Sequence, residues 1–261
     1  MSTQGRLIRH DNLDLYVEER GDGAPTLVFL HYWGGSGRTW TQVIDALADR
    51  FRCVAIDLRG WGRSGRDAED YSLFAQAGDV EEIIAALDLK DVVLVGHSMG
   101  GKIAQILAAQ SLPVVRGVVL VAPAPPTPIY LPEDQKRTML ESYASPEGVQ
   151  GALQILTNRP LMEEQRRQVI EDTIGGAQGA KLAWISEGMT LDISDLAKAI
   201  SAPVYVVMGS ADQVEREADL RETLMPLLRD ARFEILEGVG HLSPLEAPRS
   251  VAEAISDFLA V

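Results

Sequence analysis

The sequence predicts an α/β fold in which a mostly parallel β-sheet is covered on both faces by helices. Short apolar runs recur along the chain, and segments with helical periodicity separate them. The central runs are continuously apolar, which is typical of parallel strands that are buried on both faces. The predicted strands are residues 7–10, 13–17, 26–30, 53–56, 92–95, 118–121, 204–207 and 232–236.

The first two of these runs flank the pair Asp11-Asn12, and they are therefore predicted to form a hairpin. Helical patterns follow most of the later runs, and this alternation indicates a parallel sheet wrapped by helices. The predicted helices of the sheet region are residues 40–48, 79–87, 102–109, 217–228 and 249–259.

The alternation is broken once, after the run that ends at Val121. A proline-rich stretch at residues 123–128 ends the strand and prevents a helix from starting there. From that stretch to the next strand the pattern is mostly helical. We therefore predict a core made of residues 1–126 and 200–261, with a helical cap inserted at residues 127–199.

The composition is that of an ordinary globular protein with an acidic surface. The 261 residues include 24 Lys and Arg against 38 Asp and Glu, a net charge of −14, which argues against nucleic acid or an anionic membrane as partner. The single cysteine, Cys53, excludes an intramolecular disulfide and is expected to be a buried, inert thiol. No signal-peptide pattern or membrane-length apolar run is present, so we expect a cytoplasmic protein. No metal-ligand spacing or phosphate loop is present either, and we expect neither a metal nor a cofactor.

A glycine-rich turn at residues 96–101, Gly-His-Ser-Met-Gly-Gly, carries the main functional signal. It lies between an apolar strand run and a helical pattern, and Gly-x-Ser-x-Gly in that setting is a nucleophile elbow. The glycines let the strand and the helix approach each other closely at a sharp turn. The helix then directs its N–H groups and its positive end toward the turn. Ser98 is therefore the candidate nucleophile.

A serine hydroxyl needs a general base, and the base needs a carboxylate that orients it. His241 lies in a glycine-containing loop just after the last strand run. Asp212 follows the preceding strand run through a Gly-Ser turn. The chain order Ser98, Asp212, His241 is the order expected for a triad built around such an elbow.

These motifs resemble those of the α/β-hydrolase superfamily, in the branch of capped serine esterases and metal-free haloperoxidases, over nearly the whole chain. The resemblance implies an eight-stranded, mostly parallel sheet with the cap above the carboxyl ends of the strands. It also implies that Ser98 is the nucleophile, His241 the general base and then the acid, and Asp212 the orienting carboxylate. The segment at residues 57–65, Asp-Leu-Arg-Gly-Trp-Gly-Arg-Ser-Gly, supports the resemblance and is expected to be a structural loop near the site.

An oxyanion hole needs two N–H donors directed at the developing alkoxide. The N–H of Met99, which follows the nucleophile, is expected to be one donor. The other is expected from the loop after the third strand, with Trp33 as first choice and Tyr32 as second. In similar proteins this loop often begins His-Gly-aromatic, and this chain has Tyr32 in place of the glycine. We expect His31 to hold the loop, and His97 to pack or hydrogen-bond beside the elbow.

Several aromatic side chains are candidates for contact with substrate. Two come from the loop after the third strand and three from the cap: Tyr32, Trp33, Tyr130, Tyr143 and Trp184. Further apolar candidates in the cap are Leu131, Met139, Leu153, Met162 and Met189. An apolar stripe at helical spacing also forms ordinary core, so both interpretations stay open at this point.

The sequence therefore predicts a cofactor-free serine hydrolase that acts on a small carboxylic ester through an acyl-enzyme on Ser98. Perhydrolases, lactonases and carbon–carbon bond hydrolases use the same triad and remain alternatives. Epoxide hydrolases and haloalkane dehalogenases need an aspartate nucleophile, and Ser98 argues against them. A ligand-binding receptor of the same fold is an alternative from a different class of protein.

Overall fold

A computed structural model describes residues 3–260, and one eight-stranded sheet organises them. The strands are β1 Gln4–His10, β2 Leu13–Arg20, β3 Thr26–Leu30, β4 Arg52–Ile56, β5 Val92–His97, β6 Val115–Val121, β7 Val204–Gly209 and β8 Arg232–Leu236. Their order in the sheet is β1-β2-β4-β3-β5-β6-β7-β8. The pairs β1–β2 and β2–β4 are antiparallel, and all later neighbours are parallel. The predicted fold class is confirmed.

The helices are α1 Thr41–Leu47, α2 Leu73–Ala86, α3 Met99–Ala109, α4 Glu133–Ser142, α5 Pro146–Leu156, α6 Glu163–Gly175, α7 Gln178–Ala183, α8 Ser194–Ala199, α9 Glu217–Thr223, α10 Ser243–Glu246 and α11 Pro248–Leu259. Helices α4 to α8 all lie between β6 and β7, in the stretch that the sequence predicts to be helical. Within residues 3–260, no helix combines the length and the apolar character needed to cross a membrane.

Two predicted helices differ most from their predicted bounds, for local reasons. Helix α2 starts at Leu73 instead of residue 79, because the Ser72 hydroxyl accepts a hydrogen bond from the Ala75 N–H and caps the helix there. Helix α9 ends at Thr223 instead of continuing to residue 228. Pro226 has no N–H to continue the helical ladder, and a short 3₁₀ turn at Met225–Leu227 takes its place.

Each face of the sheet carries its own apolar layer. In β3, Val28 and Leu30 pack toward α2 and α3, whereas Leu27 and Phe29 pack toward α1 and α11. Because successive side chains of a strand point to opposite faces, a strand covered on both faces must be apolar at every position. Cys53 lies in the second layer, where burial raises the pKa of its thiol to about 12 and keeps it protonated.

The backbone at the start of helix α3 is in direct contact with the backbone at the ends of β3 and β5. A Cβ atom at Gly96 would lie 2.4 Å from the Gly100 carbonyl oxygen. A Cβ atom at Gly100 would lie 2.5 Å from the carbonyl oxygen of Leu30 and 2.6 Å from that of His31. Only glycine fits at these two positions, so the first turn of α3 lies against the carboxyl ends of β3 and β5.

We expect Gly100→Ala to lower the free energy of unfolding by about 3 kcal/mol, because the added methyl group meets backbone oxygens that cannot move alone. Gly78→Ala in α2 is the matched control. Its Cβ meets no atom within 4 Å, and the change should stabilise the protein by up to about 1 kcal/mol. Urea denaturation followed by circular dichroism measures both. Equal stability of Gly100→Ala and the parent chain would show that the close approach is not required.

Candidate active site

Ser98 occupies a strained turn between β5 and α3. Its backbone angles are φ 53° and ψ −115°, a region that residues with a side chain rarely adopt. Three hydrogen bonds of 3.1 Å hold it there: its N–H donates to the Val121 carbonyl, and its carbonyl accepts from the N–H groups of Lys102 and Ala124. Strain that is enforced by the surrounding structure is a feature of functional sites.

His241 and Asp212 form a buried pair beside this turn. His241 Nδ1 lies 2.9 Å from Asp212 Oδ2, and both side chains are almost fully buried. The other carboxylate oxygen, Oδ1, accepts hydrogen bonds from the N–H groups of Val214 at 2.8 Å and Glu215 at 3.0 Å. A carboxylate only accepts, so Nδ1 carries the ring proton and Nε2 is left as an acceptor. This is the tautomer that a general base needs.

Ser98 and His241 line the same cavity, which has a volume of about 590 Å³. The volume lies within the range of small-molecule binding sites. The walls are mainly apolar and come largely from the helices between β6 and β7, with Met139, Ile155 and Trp184 among the contributors. The structure therefore brings two of the three predicted catalytic residues to an apolar cavity, and the third bonds to one of them.

Free backbone N–H groups lie on two sides of Ser98. Met99 is the first residue of α3, and its N–H has no partner within the helix. Leu30 pairs with Gly96 across β3 and β5, so the loop that follows β3 starts beside the elbow. Across residues 3–260, the N–H groups of Tyr32 and Trp33 in this loop donate to no backbone carbonyl. The loop thus contains both predicted candidates for the second oxyanion donor.

His31 holds this loop in place, as the sequence analysis expects. The Leu58 N–H donates to His31 Nε2 at 3.1 Å, which leaves Nδ1 to carry the proton. His31 Nδ1 donates in turn to the Tyr32 carbonyl at 2.7 Å. Burial lowers the pKa of His31 to about 4, so the imidazole is neutral at neutral pH.

The other side of the loop is held by two contacts that no sequence pattern predicted. The Trp33 ring stacks on Tyr143 with centroids 4.1 Å apart. Thr173 Oγ1, from α6, donates to the Gly34 carbonyl at 2.9 Å. Thr173 and Gly34 are 139 residues apart, and no local pattern in the sequence could connect them.

His97 supports the backbone of the His241 loop. His97 Nε2 donates to the His241 carbonyl at 2.8 Å, and the two rings lie 5.1 Å apart. Burial lowers the pKa of His97 well below its ordinary value, and the nearby His241 adds to this effect. A neutral His97 therefore serves as a hydrogen-bond donor that positions the neighbouring histidine.

Most of the predicted substrate contacts lie at the cavity. Those that line it are Tyr32, Trp33, Tyr143 and Trp184, together with Leu131, Met139 and Met189 from the wider set. The Tyr130 side chain is 78% exposed and points away from the lining, to which its neighbour Ile129 belongs. Leu153 packs in the apolar cluster that contains Tyr32, and Met162 is exposed.

The cavity is also lined by Gln213, Val214 and Glu215, which no motif in the sequence predicted. They directly follow Asp212 in the sequence, and this position was a signal that they lie at the site. A segment that begins at a residue of the site is expected to continue along its wall.

A second cavity, of about 200 Å³, is polar and lies between the loop after β4 and α6. Most of its charged groups are paired with each other: Arg38 bonds to Asp172, and Arg63 Nε lies 3.5 Å from Asp57 Oδ2. Asp57 also accepts the Arg63 N–H at 2.8 Å. These contacts agree with the expected structural role of the loop after β4.

The fold and this arrangement of residues define an α/β hydrolase. The model of the Alpha/beta hydrolase family matches residues 27–254, and the chain belongs to this family.

Relatives and solved structures carry several activity names. A non-heme haloperoxidase from Rhodococcus erythropolis is 27% identical, with 88% of this chain and 90% of the relative covered. The crystal structure of a bacterial membrane phospholipase A is 27% identical with a TM-score of 0.87, covering 99% of this chain and 86% of that one. An esterase from Exiguobacterium antarcticum has a TM-score of 0.90 at 22% identity, covering 99% and 100%.

Two buried histidines that are neutral at pH 7, His31 and His97, make the free energy of unfolding depend on pH. The unfolded chain binds a proton at His31 near pH 6.5, whereas the folded chain binds it near pH 4, so stability is lost as the pH falls through this window. We expect the stability advantage of the parent chain over His31→Gln to shrink by about 2 kcal/mol between pH 7 and pH 4.5.

Urea denaturation of both proteins at several pH values measures this difference. The other histidines are present in both chains, so their contribution cancels. A stability difference that stays constant with pH would contradict a neutral, buried His31.

Proposed function

We propose that this chain is a cofactor-free serine hydrolase that cleaves small carboxylic esters. One observation carries the proposal: Ser98, at a strained strand–helix turn, lines the same cavity as His241, and His241 Nδ1 is 2.9 Å from a fully buried Asp212 carboxylate. A nucleophile, a base and an orienting acid in this relation form an activated serine.

In the acylation step, His241 Nε2 takes the proton of Ser98 as the serine Oγ attacks the ester carbonyl carbon. The carbonyl electron pair moves to oxygen, and the N–H groups of Met99 and Trp33 stabilise the resulting oxyanion, with Tyr32 as the alternative second donor. When the tetrahedral species collapses, the ester C–O bond breaks. His241 gives its proton to the departing alkoxide, and the acyl group stays on Ser98.

In the deacylation step, a water molecule attacks the acyl carbon and gives a proton to His241. Collapse of the second tetrahedral species releases the carboxylic acid, and Ser98 Oγ regains its proton from His241. Asp212 keeps its charge throughout. It holds the imidazole in one tautomer and stabilises the imidazolium that forms twice in each cycle.

The cavity and the relatives support an ester as the substrate. The walls are mainly apolar, which suits an alkyl or aryl chain, and Tyr143 and Trp184 provide flat surfaces on the wall. We assign these walls to a cap at residues 127–199, above a core of residues 1–126 and 200–261. A phospholipase A and an esterase are among the similar structures, and both names denote hydrolysis of carboxylic esters.

We expect Ser98→Ala to lower kcat on p-nitrophenyl esters by a factor on the order of 10⁶, and Asp212→Asn by roughly 10⁴, because each removes part of one catalytic unit. A panel from acetate to decanoate measures both and sizes the cavity. Ser201→Ala, at an exposed serine, is the matched control and should keep full activity.

Intact-mass analysis after treatment with an alkyl phosphonate gives a second readout. One adduct per chain should form on the parent and on Ser201→Ala, and none on Ser98→Ala. If Ser98→Ala retained most of the activity, Ser98 would have no part in the mechanism.

A second candidate is perhydrolysis, which the haloperoxidase relative favours. In that reaction hydrogen peroxide replaces water in deacylation, and the peracid released from an acetyl group on Ser98 oxidises bromide. We expect a perhydrolase to brominate monochlorodimedone only when acetate, peroxide and bromide are all present, and to lose this activity in Ser98→Ala. Ester hydrolysis without bromination would leave the esterase as the function.

A further inference from the structure

Glu215 is an acidic side chain in the wall of a mainly apolar cavity. It lines the cavity together with Ser98 and His241, and the residue is only 6% exposed. Its N–H donates to Asp212 Oδ1, so its position is tied to the residue that orients His241. Among the described residues that line this cavity, Glu215 is the one acid.

Lys102 lies near Glu215, in an unusual place for a cation. It follows Ser98 by one helical turn in α3, is fully buried, and its Nζ has no hydrogen-bond partner within residues 3–260. Burial lowers its pKa to about 8, whereas the nearby Glu215 and Asp192 raise it. The positive end of α3 also disfavours a cation here. A buried lysine in such a position costs stability, and costs of this kind are expected at functional sites.

The carboxyl of Glu215 has no donor within the described part of the chain. Burial raises its pKa well above the ordinary value, Asp212 adds to this effect, and Lys102 opposes it. In either protonation state the group has an acceptor oxygen, and leaving that oxygen unpaired once a substrate has displaced water from the cavity is costly. A substrate group that bonds to Glu215 therefore contributes to binding.

Several other polar side chains of the lining are already satisfied or exposed. Ser142 and Thr138 each donate to a backbone carbonyl of their own helix. Gln135 and Gln213 are exposed. Within residues 3–260, the buried polar side chains of the wall that are left for a ligand therefore include the Trp33 indole N–H and Glu215, and Glu215 is the acid.

A hydroxyl is the chemical group that fits best. It donates to a carboxylate and also bonds to a protonated carboxyl, because it carries both a donor and acceptor lone pairs. The positive charge of Lys102 disfavours an ammonium at this place. The charges of Asp212 and Glu215 disfavour a carboxylate.

We propose that Glu215, with Lys102 nearby, forms a subsite for a neutral hydroxyl of the substrate, so that hydroxylated esters are preferred over those with a methyl group in the same place. This inference rests on the proposed esterase function and adds the substrate class. Glu215 is then a specificity-determining residue, outside the catalytic steps.

Pairs of esters that differ only by hydroxyl against methyl test this subsite on both sides of the ester bond. On the alcohol side, hydroxyethyl butanoate is compared with propyl butanoate. On the acyl side, ethyl 3-hydroxybutanoate is compared with ethyl 3-methylbutanoate, and ethyl 6-hydroxyhexanoate with ethyl heptanoate. We expect the hydroxylated member of at least one pair to have a kcat/KM about tenfold higher or more, mainly through a lower KM.

Two variants identify the residue responsible. Glu215→Leu should remove or invert the preference, because it replaces the carboxyl with an apolar group of similar size. Glu215→Gln should keep most of it, because an amide both accepts and donates. The measured quantity is a ratio within one enzyme, so a purely structural defect, which slows both members equally, leaves it unchanged.

Equal kcat/KM values within every pair, or a preference that survives in Glu215→Leu, would overturn the subsite while the esterase function stands. Failure to cleave any of the six esters, together with no phosphonate adduct on Ser98, would instead overturn the proposed function and the subsite that rests on it.

Discussion

The backbone contact between the first turn of α3 and the ends of β3 and β5 is the constraint on which the site depends. With Gly96 and Gly100 in place, the helix starts within contact distance of the strand backbone. The chain must then turn through a single residue, and Ser98 takes a positive φ to do so. The same contact brings the loop after β3 beside the serine. The strained residue, the free Met99 N–H and the adjacent loop therefore all follow from one packing requirement.

Three buried histidines hold different parts of the site through the hydrogen bonds of their ring nitrogens. His31 accepts from one backbone group and donates to another, which fixes the loop after β3. His97 donates to the carbonyl of His241. His241 bonds through Nδ1 to Asp212, which leaves its second nitrogen available. Burial keeps the first two neutral at physiological pH, so they position backbone without adding charge near the serine.

Asp212 connects the proposed chemistry with the proposed specificity. One of its oxygens bonds to His241, and the other accepts the N–H of Glu215, whose side chain then enters the cavity wall. Lys102 lies in α3, one helical turn after Ser98. The proposed subsite thus comes from the two segments that also carry the proposed nucleophile and the proposed orienting acid. A substrate hydroxyl bound there is held at a fixed distance from the reacting carbonyl.

The sequence alone determined the sheet, the elbow and the chain order of Ser98, Asp212 and His241, because apolar runs, glycine spacing and strand–loop succession are local signals. Local capping by Ser72 and the Pro226 break explain where helix bounds differed. Only the tertiary structure decided which residues hold the far side of the loop after β3 and which of the candidate side chains face the cavity. The bond from Thr173 to Gly34 joins residues 139 positions apart. Contacts between distant segments depend on how the helices pack on the sheet, and that packing leaves no periodic trace in the sequence.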